Sequence, residues 1–216
     1  MVIHFESPFF SFSAIGLILV STITLLMSSD WKWSIGALLA QYLGAFLLVG
    51  ISWPVQMALV KLIAGWFSVI ILAMVSYAIF GNKKEADVTP GRQVGSPSIP
   101  PTTSISGVLF HLLATVMISL VVISVIPEIM EQFPNIRLEQ MLGAFIMISL
   151  GMLHLGLTAY PLRVIFGLLT VLAGFEIVYA AVELSTLVAG LLSGVNLGLA
   201  ILGAYLVSIP TMGRSE

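Results

Sequence analysis

The chain of 216 residues contains no cysteine. Disulfides, thiolate metal sites, iron–sulfur clusters and thiol catalysis are therefore excluded for its own side chains. Any redox centre that serves this protein would have to belong to another subunit. We accordingly expect no cofactor, no catalytic residue and no redox centre in this chain.

Charged residues are also scarce, since they make up 8% of the chain against 59% hydrophobic residues, with a mean hydropathy of +1.12. This composition lies far outside the range of soluble globular domains. The net charge of −2 and the few basic residues argue against binding to nucleic acid. The composition predicts an integral membrane protein whose surroundings are the lipid bilayer.

Long apolar runs separated by short polar breaks set the fold class. A bilayer core of about 30 Å is crossed by roughly 20 helical residues. The runs are continuously apolar, whereas the strands of a membrane barrel would alternate apolar and polar residues. We predict an all-α transmembrane bundle, with its first segment a retained helix because no basic region precedes it. The seven predicted spans are residues 9–28, 33–51, 54–80, 106–127, 139–158, 162–182 and 184–209, the last two joined by a tight turn near Glu183.

The basic residues predict the orientation of the chain. With seven spans the termini lie on opposite sides, and positively charged loops favour the cytoplasm. One side carries Arg137 alone, and Lys61 falls inside a span. The other side carries Lys32, Lys83, Lys84, Arg92, Arg163 and Arg214. The N-terminus is therefore predicted outside and the C-terminus in the cytoplasm.

A polar segment with four prolines, GNKKEADVTPGRQVGSPSIPPTTS, begins at Gly81. Its composition predicts a flexible cytoplasmic linker over residues 81–105, between a three-helix unit (1–80) and a four-helix unit (106–216). The shift in numbering that aligns Lys32 with Arg163 also maps the second and third spans onto the sixth and seventh. This pattern suggests a weak parallel duplication, in which Ala45 lies opposite Glu176.

Two opposite charges are predicted inside the membrane at a similar depth. Lys61 follows Trp53 by eight residues and so lies roughly 12 Å deep, while Glu176 lies roughly 20 Å above Arg163. Ionisable groups in spans are functional hypotheses by default, so both residues are candidates for a proton or ion path. The alternative is a structural polar contact. Whether they touch each other or groups on partner subunits is left open by the sequence.

Glu183 and Tyr179 extend this candidate path along the same span. Glu183 shares a helix face with Glu176 but reaches the outer interface, and Tyr179 between them is positioned to bridge by hydrogen bonds. A file of two glutamates and a tyrosine could carry protons from depth to surface. The alternative is a solvated turn glutamate beside an interfacial tyrosine.

Histidines and amides are the other polar groups in the spans. His154, near the cytoplasmic end of the fifth span, titrates near neutrality and could load protons, although an interfacial polar role is the alternative. With His111 it forms no recognisable metal site. Three amides are expected to join helices, and small residues in the last span to allow close helix contact. These are Gln41, Gln56 and Asn196, and Gly190, Gly194, Gly198 and Gly203.

Several segments together resemble a known family of membrane subunits. They are LRVIFGLLTVLAGFEIVYAAVEL (162–184), the LGAF that opens the fifth span, IGALLAQYLGAF in the second span, and the stretch from Trp53 to Lys61. The pattern is similar to hydrogenase-4 component E and, more distantly, to subunit K of NADH-quinone oxidoreductase. The resemblance covers most of the chain apart from the linker.

The resemblance implies a non-redox membrane subunit of a complex-I-like assembly, packed beside large antiporter-like subunits in a bacterial inner membrane and relaying protons through buried carboxylates and lysines. Lys61 matches the family lysine, and Glu183 matches a glutamate that opens the last span. Glu176 differs, because the family acid falls at the position of Leu172, one turn earlier. Two other functions stay open: a purely structural scaffold subunit and a small independent transporter.

Overall fold

The computed structural model describes residues 8–28, 30–81, 105–133 and 136–212. No strand occurs in these ranges, and the predicted all-α bundle is confirmed. A π-helical turn, Tyr77–Gly81, extends the third helix. The helices are α1 (Pro8–Met27), α2 (Trp31–Ser52), α3 (Val55–Ser76), α4 (Ile105–Gln132), α5 (Leu138–Leu157), α6 (Pro161–Val182) and α7 (Thr186–Met212).

Six of these helices, α2 to α7, are long and apolar enough to cross a membrane. The chain is therefore an integral membrane protein. The remaining helix, α1, is apolar over Ser11–Met27. That α1 also crosses the membrane stays a prediction, as do the orientation of the termini and the identity of the membrane.

The helix boundaries agree with the predicted spans except at α4. The tight turn between the last two spans is confirmed, since residues 183–185 alone separate α6 from α7. The predicted end of the fourth span at residue 127 is wrong, because α4 continues to Gln132 with Pro127 inside it. Ile126 is buried in the core and Met130 packs against it, so tertiary packing holds the turn that proline would otherwise end.

The predicted linker falls mostly on residues 82–104, which lie outside the described residues. The division of the chain into units 1–80 and 106–216 stays a prediction. Helices from before and after this segment pack directly on one another, with α1 against α5, α2 against α6 and α3 against α7. The described helices therefore share one core.

Four helices form a closed ring at the centre of this packing. Around the ring, α2 contacts α3, α3 contacts α7, α7 contacts α6, and α6 contacts α2. Helices α1 and α5 cover the side formed by α2 and α6, and α4 packs outside them. In this order α3 lies opposite α6, and α2 lies opposite α7.

Hydrogen bonds at both ends show that α2 and α6 run in the same direction. At one end the guanidinium of Arg163 donates to the carbonyl of Ser28, just before α2. At the other end the indole Nε1 of Trp53, just after α2, donates to the carbonyl of Glu183 at 3.0 Å. We call these two ends of the bundle the Arg163 end and the Glu183 end.

The hairpins α2–α3 and α6–α7 therefore lie side by side in the same orientation. This is the arrangement that a parallel duplication would produce. The duplication itself stays a prediction.

The glycines in the first half of α7 do not make the close helix contact that the sequence predicted. A Cβ placed on Gly190, Gly194 or Gly198 would meet no described atom within 4 Å. The predicted close helix contact at this stripe is therefore not made within the described chain, because α3 and α6 pack on other faces of α7. Gly203 does pack closely, since a Cβ there would lie 2.7 Å from Ile165.

A close approach inside the ring joins α2 and α3. A Cβ placed on Gly65 would lie 2.4 Å from Cδ1 of Tyr42, so the tyrosine ring rests on the backbone of α3. The ring cannot swing aside freely, because its hydroxyl donates to Asn196 on α7. The absence of a side chain at Gly65 is therefore a condition for this packing.

We predict that Gly65→Ala destabilises the protein, by about 1–3 kcal/mol as for other overpacked cores, because the added methyl would displace Tyr42. Gly190→Ala is the matched control, since open space surrounds that position. Thermal unfolding in detergent, followed by tryptophan fluorescence, measures both variants. Equal unfolding temperatures for the two variants would contradict the packing described.

Candidate functional site

Lys61 and Glu176 form an ion pair inside the ring. The ammonium Nζ of Lys61, on α3, lies 2.5 Å from Oε1 of Glu176, on α6. Each side chain is only 6% exposed. The prediction that these charges share one depth is confirmed, and the open question is answered because they contact each other directly. Since α3 and α6 are opposite in the ring, the pair spans its centre.

Two further side chains complete this cluster. The amide Nδ2 of Asn196, on α7, donates to Oε1 of Glu176 at 3.1 Å. The hydroxyl of Tyr42, on α2, donates to Oδ1 of Asn196 at 2.9 Å. Both residues are buried. Each ring helix thus contributes one residue to what we call the polar tetrad: Tyr42, Lys61, Glu176 and Asn196.

The direction of these hydrogen bonds fixes how Glu176 is held. Because Oδ1 of Asn196 accepts from Tyr42, its Nδ2 is the group presented to Glu176. Lys61 and Asn196 both donate to Oε1. The second oxygen, Oε2, accepts no hydrogen bond from the described residues. One oxygen therefore anchors the carboxylate and the other is left for exchange.

A small cavity lies beside the pair. Its volume is about 10 Å³, close to what a single water molecule requires. The lining residues are Tyr42, Ala45, Phe46, Val49, Lys61, Leu62, Ala173 and Glu176. The cavity therefore combines apolar walls with the two charged groups of the tetrad.

A second polar group joins α1, α2 and α6 next to the tetrad. The amide Nε2 of Gln41 donates to the hydroxyl of Thr22 at 3.1 Å, and its Oε1 lies 3.2 Å from the hydroxyl of Thr170. The prediction that Gln41 joins helices is confirmed. Gln56 does not behave in this way, because its side chain is exposed at the start of α3.

The predicted file of Glu176, Tyr179 and Glu183 is not formed. The hydroxyl of Tyr179 is buried and makes no hydrogen bond with any described residue. Lys61 and Asn196 draw the Glu176 carboxylate toward α3 and α7, whereas the Tyr179 ring packs edge-on against Trp53, with centroids 6.3 Å apart. Glu183 is exposed, as its alternative role of a solvated turn residue requires.

The two histidines lie apart from the tetrad. His154 is buried in the last turn of α5 and packs near Gly167 of α6, toward the Arg163 end. Its Nε2 has no hydrogen-bond partner among the described residues. Nδ1 of His111 lies 2.7 Å from the carbonyl of Gly107 on its own helix. In the described ranges no three His, Asp or Glu residues are grouped as a metal site would require.

Sequence reasoning missed Tyr42 and undervalued Asn196. Tyr42 lies near the middle of α2, far from the interfaces where membrane tyrosines concentrate. A buried tyrosine hydroxyl needs a partner, and that requirement is the signal that could have identified it. Asn196 was expected to join helices, which it does, but its partner is the buried acid.

No protein family, no curated protein and no solved structure matches the chain. The function is therefore argued from the polar tetrad and from the packing around it.

We predict that Lys61→Met destabilises the protein by about 3–5 kcal/mol, as when one partner of a buried ion pair is removed, because Glu176 would be left without its counter-charge. Adding Glu176→Gln should restore much of this loss, since glutamine is neutral and still accepts from Asn196. Unfolding temperatures in detergent measure both variants. Lys32→Met, at an exposed lysine, is the control, and a double variant no more stable than Lys61→Met would contradict the pairing.

Proposed function

We propose that the chain is a non-redox membrane subunit of a complex-I-like, ion-translocating oxidoreductase, in which Glu176 and Lys61 relay protons. The observation that carries this proposal is the ion pair at the centre of the four-helix ring, held by Asn196 and Tyr42. Ionisable groups at such positions are costly in a membrane and typically mark ion or proton pathways.

A contribution to stability does not by itself explain why a buried ion pair is present. Apolar residues of similar volume in place of a buried ion pair are often neutral or stabilising. The geometry supports proton exchange instead, because the amine of Lys61 contacts the carboxylate of Glu176 directly. The second carboxylate oxygen, without a donor among the described residues, supplies a site at which the next proton can arrive.

The outer surfaces of the bundle support packing beside other membrane subunits. Large apolar side chains are exposed along α3, α4 and α7, for example Phe67, Leu120 and Leu191. Antiporter-like subunits packed on these faces would continue the proton path laterally from the ring. His154, near the Arg163 end, and Tyr179 and Glu183, near the other end, are proposed as further members of that path.

One observation favours a scaffold function as the second candidate. The tetrad joins all four ring helices, with Lys61 and Glu176 linking α3 to α6, and Tyr42 and Asn196 linking α2 to α7. Such a network could serve only to hold the helices in place. The two functions differ in whether the charge on Glu176 is needed after the bundle has assembled.

We predict that Glu176→Gln leaves the bundle assembled but lowers proton translocation by the parent complex at least about tenfold, as when a group that moves protons is removed. Glutamine retains an acceptor for Lys61 and Asn196 but removes the counter-charge of Lys61, so we expect the variant to be less stable yet still assembled. Proton uptake by proteoliposomes containing the purified complex is the measurement. Glu131→Gln, at an exposed carboxylate of α4, is the matched control, and full translocation by Glu176→Gln would leave the scaffold as the better account.

We also predict that the chain copurifies in mild detergent with large, many-helix antiporter-like subunits, because its exposed apolar faces extend over several helices. Mass spectrometry of the purified assembly identifies these partners. Recovery of the chain alone as a stable monomer that moves ions in liposomes would instead support an independent transporter.

A further inference from the structure

The cavity beside Glu176 extends along the ring from the level of Tyr42 to that of Val49. Tyr42, Gly65 and Asn196 lie the same number of residues from the Glu183 end of their helices. Lys61 and Glu176 lie about one helical turn closer to that end. Tyr42 thus forms the floor of the cavity, and Val49, one of its lining residues, lies closer still to the Glu183 end.

Below that floor, toward the Arg163 end, the ring is closely packed. The Tyr42 ring rests on the backbone at Gly65 without room for a Cβ. Beyond it Leu38, Leu72 and Leu169 are all fully buried. Because close packing of this kind hinders the passage of water, we expect little access to the cavity from the Arg163 end.

Above the cavity, toward the Glu183 end, two aromatic rings form what we call the cap. The backbone amide of Trp53 donates to the carbonyl of Val49 at 3.0 Å, which places Trp53 one turn above that cavity residue. Tyr179 follows Glu176 by three residues on α6, and its ring meets that of Trp53 edge-on. The two rings therefore lie at or beyond the level of Val49, the lining residue nearest the Glu183 end.

The cap combines one satisfied and one unsatisfied polar group. The indole of Trp53 donates to the carbonyl of Glu183, which fixes the ring at the Glu183 end of the bundle. The hydroxyl of Tyr179 is buried and makes no hydrogen bond with any described residue. Because a buried hydroxyl without a partner is unfavourable, water that reached the Tyr179 hydroxyl would be stabilised there.

We propose that the cavity is a water-binding site through which Glu176 communicates with the Glu183 end of the bundle, and that the cap of Trp53 and Tyr179 closes this route. When the cap moves, water enters the cavity and reaches Oε2 of Glu176, the oxygen that accepts no hydrogen bond from the described residues. A proton then passes between that oxygen and the water, without change in the bonds that Lys61 and Asn196 make to Oε1.

That protons use this water route rests on the proposed function, but the route itself can be tested separately. The chain contains no cysteine, so single cysteines report water access without a background. Thiol reagents attack the thiolate, which forms only where water reaches the sulfur. A charged, membrane-impermeant methanethiosulfonate applied to one side of oriented proteoliposomes therefore shows the side from which the cavity is wetted. Glu183→Cys identifies the vesicle face that carries the Glu183 end.

The experiment compares Ala45→Cys, in the cavity wall, with Ala37→Cys on the same helix. Both alanines are 7% exposed, but Ala37 lies below the Tyr42 floor. We expect Ala45→Cys to react from the Glu183 side and Ala37→Cys not to. Trp53→Ala or Tyr179→Ala should raise the reaction rate of Ala45→Cys at least about tenfold by opening the cap. Tyr179→Phe, which keeps the ring, should leave that rate unchanged or lower it.

Faster reaction of Ala45→Cys from the Arg163 side would overturn the inference, as would unchanged rates in both alanine cap variants. If a cap variant unfolds, Ala37→Cys becomes reactive as well. The test then depends on the side from which Ala45→Cys reacts in a chain without a cap substitution. The labelling rate is measured independently of proton transport. Full proton translocation by Glu176→Gln would therefore refute the proposed function and leave the water route standing.

Discussion

Two charged groups in a low-dielectric interior must be satisfied by protein groups, and the ring of α2, α3, α6 and α7 is arranged around that constraint. The Lys61–Glu176 contact requires α3 and α6 to approach across the centre, and the second bond to Glu176 comes from Asn196 on α7. Asn196 is oriented in turn by Tyr42. Tyr42 can reach it only because Gly65 lets the ring rest on the backbone of α3.

Because of this dependence, the ring is packed differently toward the Arg163 end and toward the Glu183 end. The same tyrosine that orients Asn196 also lines the cavity on the side of the Arg163 end and packs on Gly65. Toward the Glu183 end we propose that the separation relies on Trp53 and Tyr179, whose rings meet edge-on beside the hydrogen bond from the Trp53 indole to Glu183. A packed backbone is hard to displace, whereas a ring contact is not, so access is expected to change at the Glu183 end.

The sequence predicted the helices, the turn at residues 183–185 and the common depth of Lys61 and Glu176, because apolar run length and a rise of about 1.5 Å per residue determine these features. It could not predict that the two charges touch, since that depends on helix rotation and neighbour order. Similarly, nothing in the spacing of Glu176, Tyr179 and Glu183 reveals that Trp53 engages Tyr179. The continuation of α4 past Pro127 depends on tertiary packing around Ile126.

The asymmetry between the two hairpins gives the cavity its position. In the register that aligns Lys32 with Arg163, Ala45 on α2 corresponds to Glu176 on α6, and Ala45 lines the cavity next to that glutamate. A second carboxylate at Ala45 would place two acids beside one lysine, and like charges so close together disfavour ionisation of both. The small side chain leaves one acid, one base and the volume of about one water molecule, which are the components that a single-proton exchange site needs.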